Sequence, residues 1–275
     1  MKETIDLLRY RCQIALPGFG REGQDKLAQA KILIVGMGGL GCPAAQYLVA
    51  AGIGTIGLAD FDRVSVSNLH RQILYDSQDE GLLKVDVAAG KLQKQNPLVT
   101  INKHLEKVSA NNVLNLVAAY DLIIDCTDNF DSRYLLNDAA VLSDKVLVYG
   151  AIYQFEGQVS VWNYLNADGS RSPNYRDLFP EIDGLQIPNC AEAGVIPTLA
   201  GIIGCMQANE AIKYITGNPE VLAGKLLLFD ALTMKSRVIK TGINSQVSIT
   251  AIHREDEVSL IGAEALVLEN GFFLV

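Results

Sequence analysis

Residues 31–51 constrain the fold of this chain more than any other stretch. Lys31-Ile32-Leu33-Ile34-Val35 is a continuous apolar run of buried-strand length. It feeds directly into Gly36-Met37-Gly38-Gly39-Leu40-Gly41, and Leu40 to Ala51 then reads as a helix. The hydrophobic period switches from strand to helix across the glycines, so the chain must turn sharply there. A strand, a glycine-rich turn and a helix in that order form one half of a βαβ unit, whose helix N-terminus can receive an anion.

The same alternation continues downstream. Strands are expected at 55–60, 98–104, 121–126 and 146–151, and helices at 82–95, 111–119 behind the candidate cap Ser109, and 131–142. This is the pattern of an α/β protein, a Rossmann-like doubly wound sheet with helices on both faces. Residues 1–30 form an N-terminal helical arm, with helices at 3–15 and 21–29 parted by Pro17-Gly18-Phe19-Gly20. After Gly150 the pattern changes. Gln158 to Tyr164 alternates like a strand, and 165–194 lacks periodicity. Val195 to Ile215 reads as a buried helix with Pro197 in its first turn and Gly217 as its stop, serving as core or as an interface between subunits. Lys225–Leu232 and Arg237–Lys240 suggest two antiparallel strands, which make the sheet mixed but mainly parallel. The expected organisation is an arm at 1–30, a nucleotide-binding domain at 31–240, and a tail at 241–275.

Composition narrows the function. Of 275 residues 49% are hydrophobic and 20% charged, which supports a packed core rather than a disordered chain. A formal net charge of −8 argues against a general footprint for DNA or an anionic membrane, both of which need positive potential. The tail is acidic, with Arg254 against Glu255, Asp256, Glu257, Glu264 and Glu269. Charges stand where a signal peptide needs an apolar core, so a cytoplasmic location is expected. Five cysteines at 12, 42, 126, 190 and 205 include no Cys-x-x-Cys pair, so free thiols are the default. Cys42, Cys126 and Cys205 lie in apolar contexts that suit core packing.

The nucleotide class follows from what surrounds the glycines. Gly36, Gly38, Gly39 and Gly41 allow close backbone approach to a phosphate, and Asp60, at the end of the next strand, can accept from ribose hydroxyls. A nicotinamide dinucleotide would need few cations here. This chain instead supplies Asn68, Arg71 and Lys84, then Asp128 within Cys126-Thr127-Asp128-Asn129 at another strand end. Two cations, an amide and a carboxylate suit a triphosphate with Mg²⁺, whose extra charge they offset. Taken singly each has a structural reading: Arg71 a loop charge, Lys84 a helix-face charge, Asp128 a cap for the helix at Phe130. Asp62 suits a direct or a supporting role equally, and His70 a passive loop role better than catalysis.

With these residues in order, the chain resembles the ThiF/MoeB/HesA adenylyltransferases, prokaryotic relatives of ubiquitin-activating enzymes, over roughly residues 7–240. The resemblance rests on Arg9-Tyr10, Gly20–Gln24, the Gly36–Gly41 loop, Asp60-Phe61-Asp62, Ser67–Gln72, Lys84, Thr127-Asp128-Asn129, Glu156-Gly157-Gln158 and Cys190-Ala191-Glu192-Ala193-Gly194. It implies ATP-dependent adenylation of the C-terminal glycine carboxylate of a ubiquitin-like sulfur carrier ending in Gly-Gly, for thiamine or molybdenum cofactor sulfur transfer. Asp60 would hold the ribose, Asn68, Arg71 and Lys84 the phosphates, and Asp128 the magnesium, with Asp62, Gln72 and Asn129 among the nucleotide-binding residues. A homodimer, and a sulfur donor such as a cysteine desulfurase or rhodanese, are implied as partners. The other readings are a catalytically altered member serving as a scaffold or acting on a small molecule or RNA, and a nicotinamide-dependent oxidoreductase.

Two departures from the family pattern stand out. The arm reads Arg9-Tyr10-Arg11-Cys12-Gln13, so Cys12 replaces the arginine that family members extend into the partner subunit's site. The first Cys-x-x-Cys pair of the family's structural zinc would fall at Asn174-Tyr175-Arg176-Asp177, so no zinc site is expected. The final residues, Glu269 to Val275, resemble an early strand of a rhodanese domain, which points to a truncated extra domain. Cys190 matches the cysteine of a loop that crosses the carrier's tail, and it reads equally as a thiol for sulfur transfer and as a packing residue.

Overall fold

The computed structural model describes residues 8–180 and 194–252. The arm contains α1 (Arg11–Ile14) and α2 (Gly20–Gln29). The first crossover unit is β1 (Lys31–Val35), α3 (Gly41–Ala51) and β2 (Thr55–Ala59). Then come α4 (Lys84–Gln95), β3 (Thr100–His104), α5 (Val113–Ala118), β4 (Leu122–Asp125) and α6 (Phe130–Leu142). The second half holds β5 (Val146–Tyr153), β6 (Glu156–Trp162), α7 (Tyr175–Leu178), α8 (Pro197–Thr216), β7 (Lys225–Asp230) and β8 (Lys235–Lys240).

Among the described residues these strands form one sheet in the order β3-β2-β1-β4-β5-β6-β7-β8. Every pair from β3 to β5 is parallel and every pair from β5 to β8 antiparallel. The expected Rossmann-like, mainly parallel mixed sheet is therefore present. Strand order reverses outward from β1, with β2 on one side and β4 on the other. The crevice beyond the carboxyl ends of the adjacent parallel strands β1 and β4 is where such sheets bind ligands.

Side-chain alternation divides the core. Ile32 and Ile34 of β1 pack with α3, α4 and α8, whereas Leu33 and Val35 pack on the other face with α5 and α6. Burial on both faces explains why β1 reads as a continuous apolar run rather than an alternating one. The arm docks through Tyr10, whose hydroxyl accepts from Asn96 Nδ2 at 2.8 Å, and through Gln13, whose Nε2 donates to Ala51 O at 2.7 Å. Gly52 closes α3 at φ +86°, and a Cβ there would meet Tyr10 Cζ at 2.5 Å. With Tyr10 and Gln13 turned to the body, Arg11 and Cys12 are exposed.

Several boundaries differ from the sequence reading. Ser109 does not cap α5. Its carbonyl accepts from Asn112 N and Val113 N, and Asn112 holds the N-cap position with its Oδ1 accepting from Ser109 N. The irregular segment contains α7, closed by a reciprocal capping box between Asn174 and Asp177. Residues 181–193, and with them Cys190, lie outside the described residues, as do 253–275 and the rhodanese-like strand expected there.

Candidate active site

The glycine turn is dictated by crowding at the ends of β1 and β4. Gly36 adopts φ +93°, and a Cβ there would lie 2.6 Å from Cys126 O. A Cβ at Gly41 would fall 1.9 Å from Gly36 O. Only glycine meets both demands, a left-handed backbone at Gly36 and direct chain-on-chain contact at Gly41. Gly38 and Gly39 face other neighbours: a Cβ at Gly38 would lie 3.5 Å from Gln72 Nε2, and one at Gly39 3.6 Å from Arg71 Cγ and 3.1 Å from Ala200 Cβ. The loop is thus flanked by the Arg71-Gln72 segment and by the first turn of α8.

Asp60 organises the next layer. Its Oδ2 accepts from Met37 N at 2.7 Å and its Oδ1 from Asp62 N at 2.8 Å. Lys84 at the start of α4 is buried, with Nζ 2.9 Å from Asp62 Oδ2 and 4.0 Å from Asp60 Oδ2. Burial raises the Asp60 pKa, and the nearby Lys84 ammonium and two backbone N–H groups only partly oppose it. Beneath the loop, Tyr75 donates to Met37 O at 2.8 Å. Burial also pushes the Cys42 thiol up to about 12, so it stays protonated as core.

The 3₁₀ turn Val66–Asn68 sets the cations. The Asn68 carbonyl accepts from Arg71 N at 3.1 Å and Gln72 N at 3.0 Å. His70 Nδ1 lies 3.0 Å from Ser67 O, which only accepts, so Nδ1 carries the proton. Nε2 is then the acceptor for Arg71 Nη1 at 3.4 Å. His70, expected to be passive, contacts the cation directly. Gln72 is buried, and its Oε1 has no hydrogen-bond partner in the structure. A buried amide oxygen without a partner beside the glycine loop is a group that a ligand can satisfy.

At the end of β4, Asp125 Oδ1 accepts from Thr127 N at 2.9 Å and Thr127 Oγ1 at 2.6 Å, shaping the turn that follows. Asn129, not Asp128, caps α6: its Oδ1 accepts from Ser132 N at 2.9 Å. The capping explanation for Asp128 is therefore excluded. Asp128 is exposed, with no hydrogen bond or ion pair to another described residue, and Thr127 N lies 3.2 Å from where a Gly36 Cβ would stand. The fold thus brings Gly36, Gly38, Gly39, Gly41, Asp60, Asp62, Arg71, Gln72 and Lys84 together and sets the Asp128 turn against the loop. An exposed, unengaged carboxylate beside a phosphate cradle fits Mg²⁺, which binds through one or two carboxylates plus phosphate oxygens.

Asn174 and Asp177 bond each other, with Asp177 Oδ2 accepting from Asn174 N and Nδ2 at 2.7 Å. The other Asp177 oxygen accepts from Asn244 N at 2.8 Å, tying the chain after β8 to this turn. Tyr75 and Gln207, which support the site from below and behind, were missed in the sequence. Tyr75 carries no local signal, whereas an isolated Gln within the apolar run of α8 does.

A glycine loop at a helix start, a buried aspartate at the end of the next strand, two cations and an exposed carboxylate define a nucleotide-using enzyme of the Rossmann type. Residues 10–249 match the ThiF family, and the chain belongs to it. It is 47% identical to the sulfur carrier protein adenylyltransferase of Thermus thermophilus over 249 residues, covering 90% of this chain and 91% of that one. It is 46% identical to the adenylyltransferase and sulfurtransferase MOCS3 of Drosophila sechellia over 236 residues, covering 86% of this chain and about half (51%) of that protein. Among solved structures, E. coli MccB with MccA-N7isoASN superimposes with a TM-score of 0.72 at 22% identity, covering 83% of this chain and 69% of that chain, a likeness of fold.

Proposed function

We propose that this enzyme adenylates the C-terminal carboxylate of a ubiquitin-like sulfur carrier ending in Gly-Gly. A carboxylate oxygen attacks the α-phosphorus of ATP, the bond to the β-phosphate oxygen breaks, and pyrophosphate leaves. The single observation that carries this reading is the buried Lys84 ammonium held by Asp60 and Asp62 at the edge of the glycine turn. A buried cation there is suited to a ligand with more charge than a dinucleotide carries.

The roles follow from position. Backbone N–H groups of Gly38 to Gly41 face the phosphates, and the Asp60 carboxylate accepts from the ribose. Arg71 and Lys84 offset charge on the transferred phosphoryl and departing pyrophosphate, and Gln72 offers its unpartnered oxygen to the ligand. Asn68 fixes the Arg71 backbone. Asn129 anchors the turn that presents Asp128. Mg²⁺, when bound, neutralises phosphate charge, and Asp128 is the residue that would hold it. Holding the carrier's carboxylate near the α-phosphate is a problem of two anions, so positioning and charge offset supply most of the rate.

The same reading includes a zinc-free homodimer, whose contact would use the outer stripe of α8, where Gly201, Ile202, Cys205 and Met206 are half-buried. It also includes a separate sulfur donor, and Cys190 as a residue through which sulfur could pass. ATP–pyrophosphate exchange with candidate carriers tests the core claim: exchange is expected only with carrier and Mg²⁺ together, and calorimetry showing NAD binding without ATP binding would overturn it.

A further inference from the structure

Gln207 is fully buried in α8, among Ile203, Gly204, Ala208 and Ala211. An apolar residue would fill this place without the desolvation cost of an amide, so the amide must be matched. Both of its ends are engaged, on consecutive residues at the end of β4. Nε2 donates to Asp125 O at 2.6 Å, and Oε1 accepts from Cys126 Sγ at 3.5 Å. The orientation is chemically determined, because the Asp125 backbone carbonyl only accepts, so the amide nitrogen must face it. Gly150 of β5 makes room for it: a Cβ at that position would lie 2.4 Å from Gln207 Cδ.

The two residues gripped this way control both halves of the site. Cys126 O is the atom against which Gly36 packs, so its place fixes the glycine turn. Asp125 Oδ1 receives Thr127 N and Thr127 Oγ1, so its place fixes the turn presenting Asp128. The same helix touches the loop again, with Ala200 beside Gly39 and Gly204 against Leu40 O, where a Cβ would fall at 2.4 Å. We propose that Gln207 is a positioning residue for adenylyl transfer, holding the end of β4 so that the glycine turn and Asp128 meet the nucleotide in register. This rests on the adenylation reading above.

Gln207→Met keeps the length and removes the donor, and Gln207→Glu restores a donor only when its carboxyl is protonated. Ile203→Val on the same helix serves as a packing control. For wild type, Gln207→Met and Ile203→Val, the Mg²⁺ concentration at half-maximal Mg·ATP binding is measured by calorimetry, together with kcat and KM for ATP–pyrophosphate exchange. Gln207→Met is expected to raise the Mg²⁺ midpoint at least about fivefold and to lower kcat at least about tenfold, a loss of about 1.4 kcal/mol, while Ile203→Val leaves the midpoint within twofold. Gln207→Glu is expected to gain activity relative to wild type as pH falls. A Met variant with an unchanged midpoint and kcat, or a Glu variant whose relative activity is flat with pH, would overturn the inference alone. Should the Met variant not fold, the Glu profile decides. Wild-type protein that binds no Mg·ATP would overturn this inference and the functional reading together.

Discussion

The Lys84 ammonium lies 2.9 Å from the Asp62 carboxylate, the lysine side chain 5% exposed and the aspartate 52%. The pair is asymmetric: Lys84 is committed to the interior of the site, whereas Asp62 faces solvent and is screened. On the proposed reading, loss of Lys84 removes a buried cation that offsets phosphate charge, and loss of Asp62 only frees it. Lys84→Ala is expected to reduce kcat/KM for exchange by roughly 10²–10³. Asp62→Asn is expected to cost less than about tenfold. Steady-state exchange kinetics on both variants provide the check, and a larger loss for Asp62→Asn would mean that Asp62 itself touches the nucleotide or its metal.

Arg71 and Asp128 flank the loop from different elements and should fail in different ways. Arg71→Ala is expected to weaken transition-state stabilisation by about 2–4 kcal/mol at any Mg²⁺ concentration. Asp128→Ala should instead abolish the dependence on Mg²⁺ along with turnover. A Mg²⁺ titration of both variants distinguishes them.

The pH dependence of Asp60 has opposite signs for binding and for stability. Burial holds the folded-state pKa above the ordinary carboxylate value. As pH falls through that raised value, protonation relieves a buried charge, so this group adds stability, fully present only below its unfolded pKa. The protonated carboxyl is a poorer acceptor for ribose, so ATP affinity falls over the same window. The KM for ATP is expected to rise on acidification before exposed carboxylates titrate, and Asp60→Asn to show a raised KM with a flatter profile. A wild-type KM independent of pH down to the ordinary aspartate range would contradict this.

Gly36→Ala combines a left-handed backbone with a Cβ placed 2.6 Å from Cys126 O. The substitution is expected to destabilise the fold by about 1–3 kcal/mol and to eliminate ATP binding, read by thermal unfolding with and without Mg·ATP. Gly169, also at positive φ but with open space around it, is a control: Gly169→Asn should leave ATP binding unchanged.

Much of this arrangement was legible because local patterns carried it. The buried run at Lys31–Val35, the glycines and the strand-end carboxylates are consequences of chain-local geometry, and so the parallel half of the sheet followed from sequence. Interactions that join distant segments were not legible. Nothing near Asn129 in sequence says that it, rather than Asp128, caps α6, because Asp and Asn are near-equal caps. Nothing near residue 207 says that its amide reaches Asp125, since the contact spans 82 positions and exists only once α8 lies across β4 and β5. Ser109 failed as a cap because Asn112 took the N-cap position three residues later.

On the proposed reading, Lys84, Arg71 and the glycine turn serve transfer of an adenylyl group to a carrier's C-terminal carboxylate. The most direct measurement is mass spectrometry of a purified sulfur carrier ending in Gly-Gly after incubation with this protein, Mg²⁺ and ATP, alongside a carrier lacking its last glycine. A mass increase of one adenylyl group is expected on the intact carrier, none on the truncated carrier, and none with Lys84→Ala. An unmodified intact carrier in the presence of bound Mg·ATP, or equal modification of the truncated one, would contradict it.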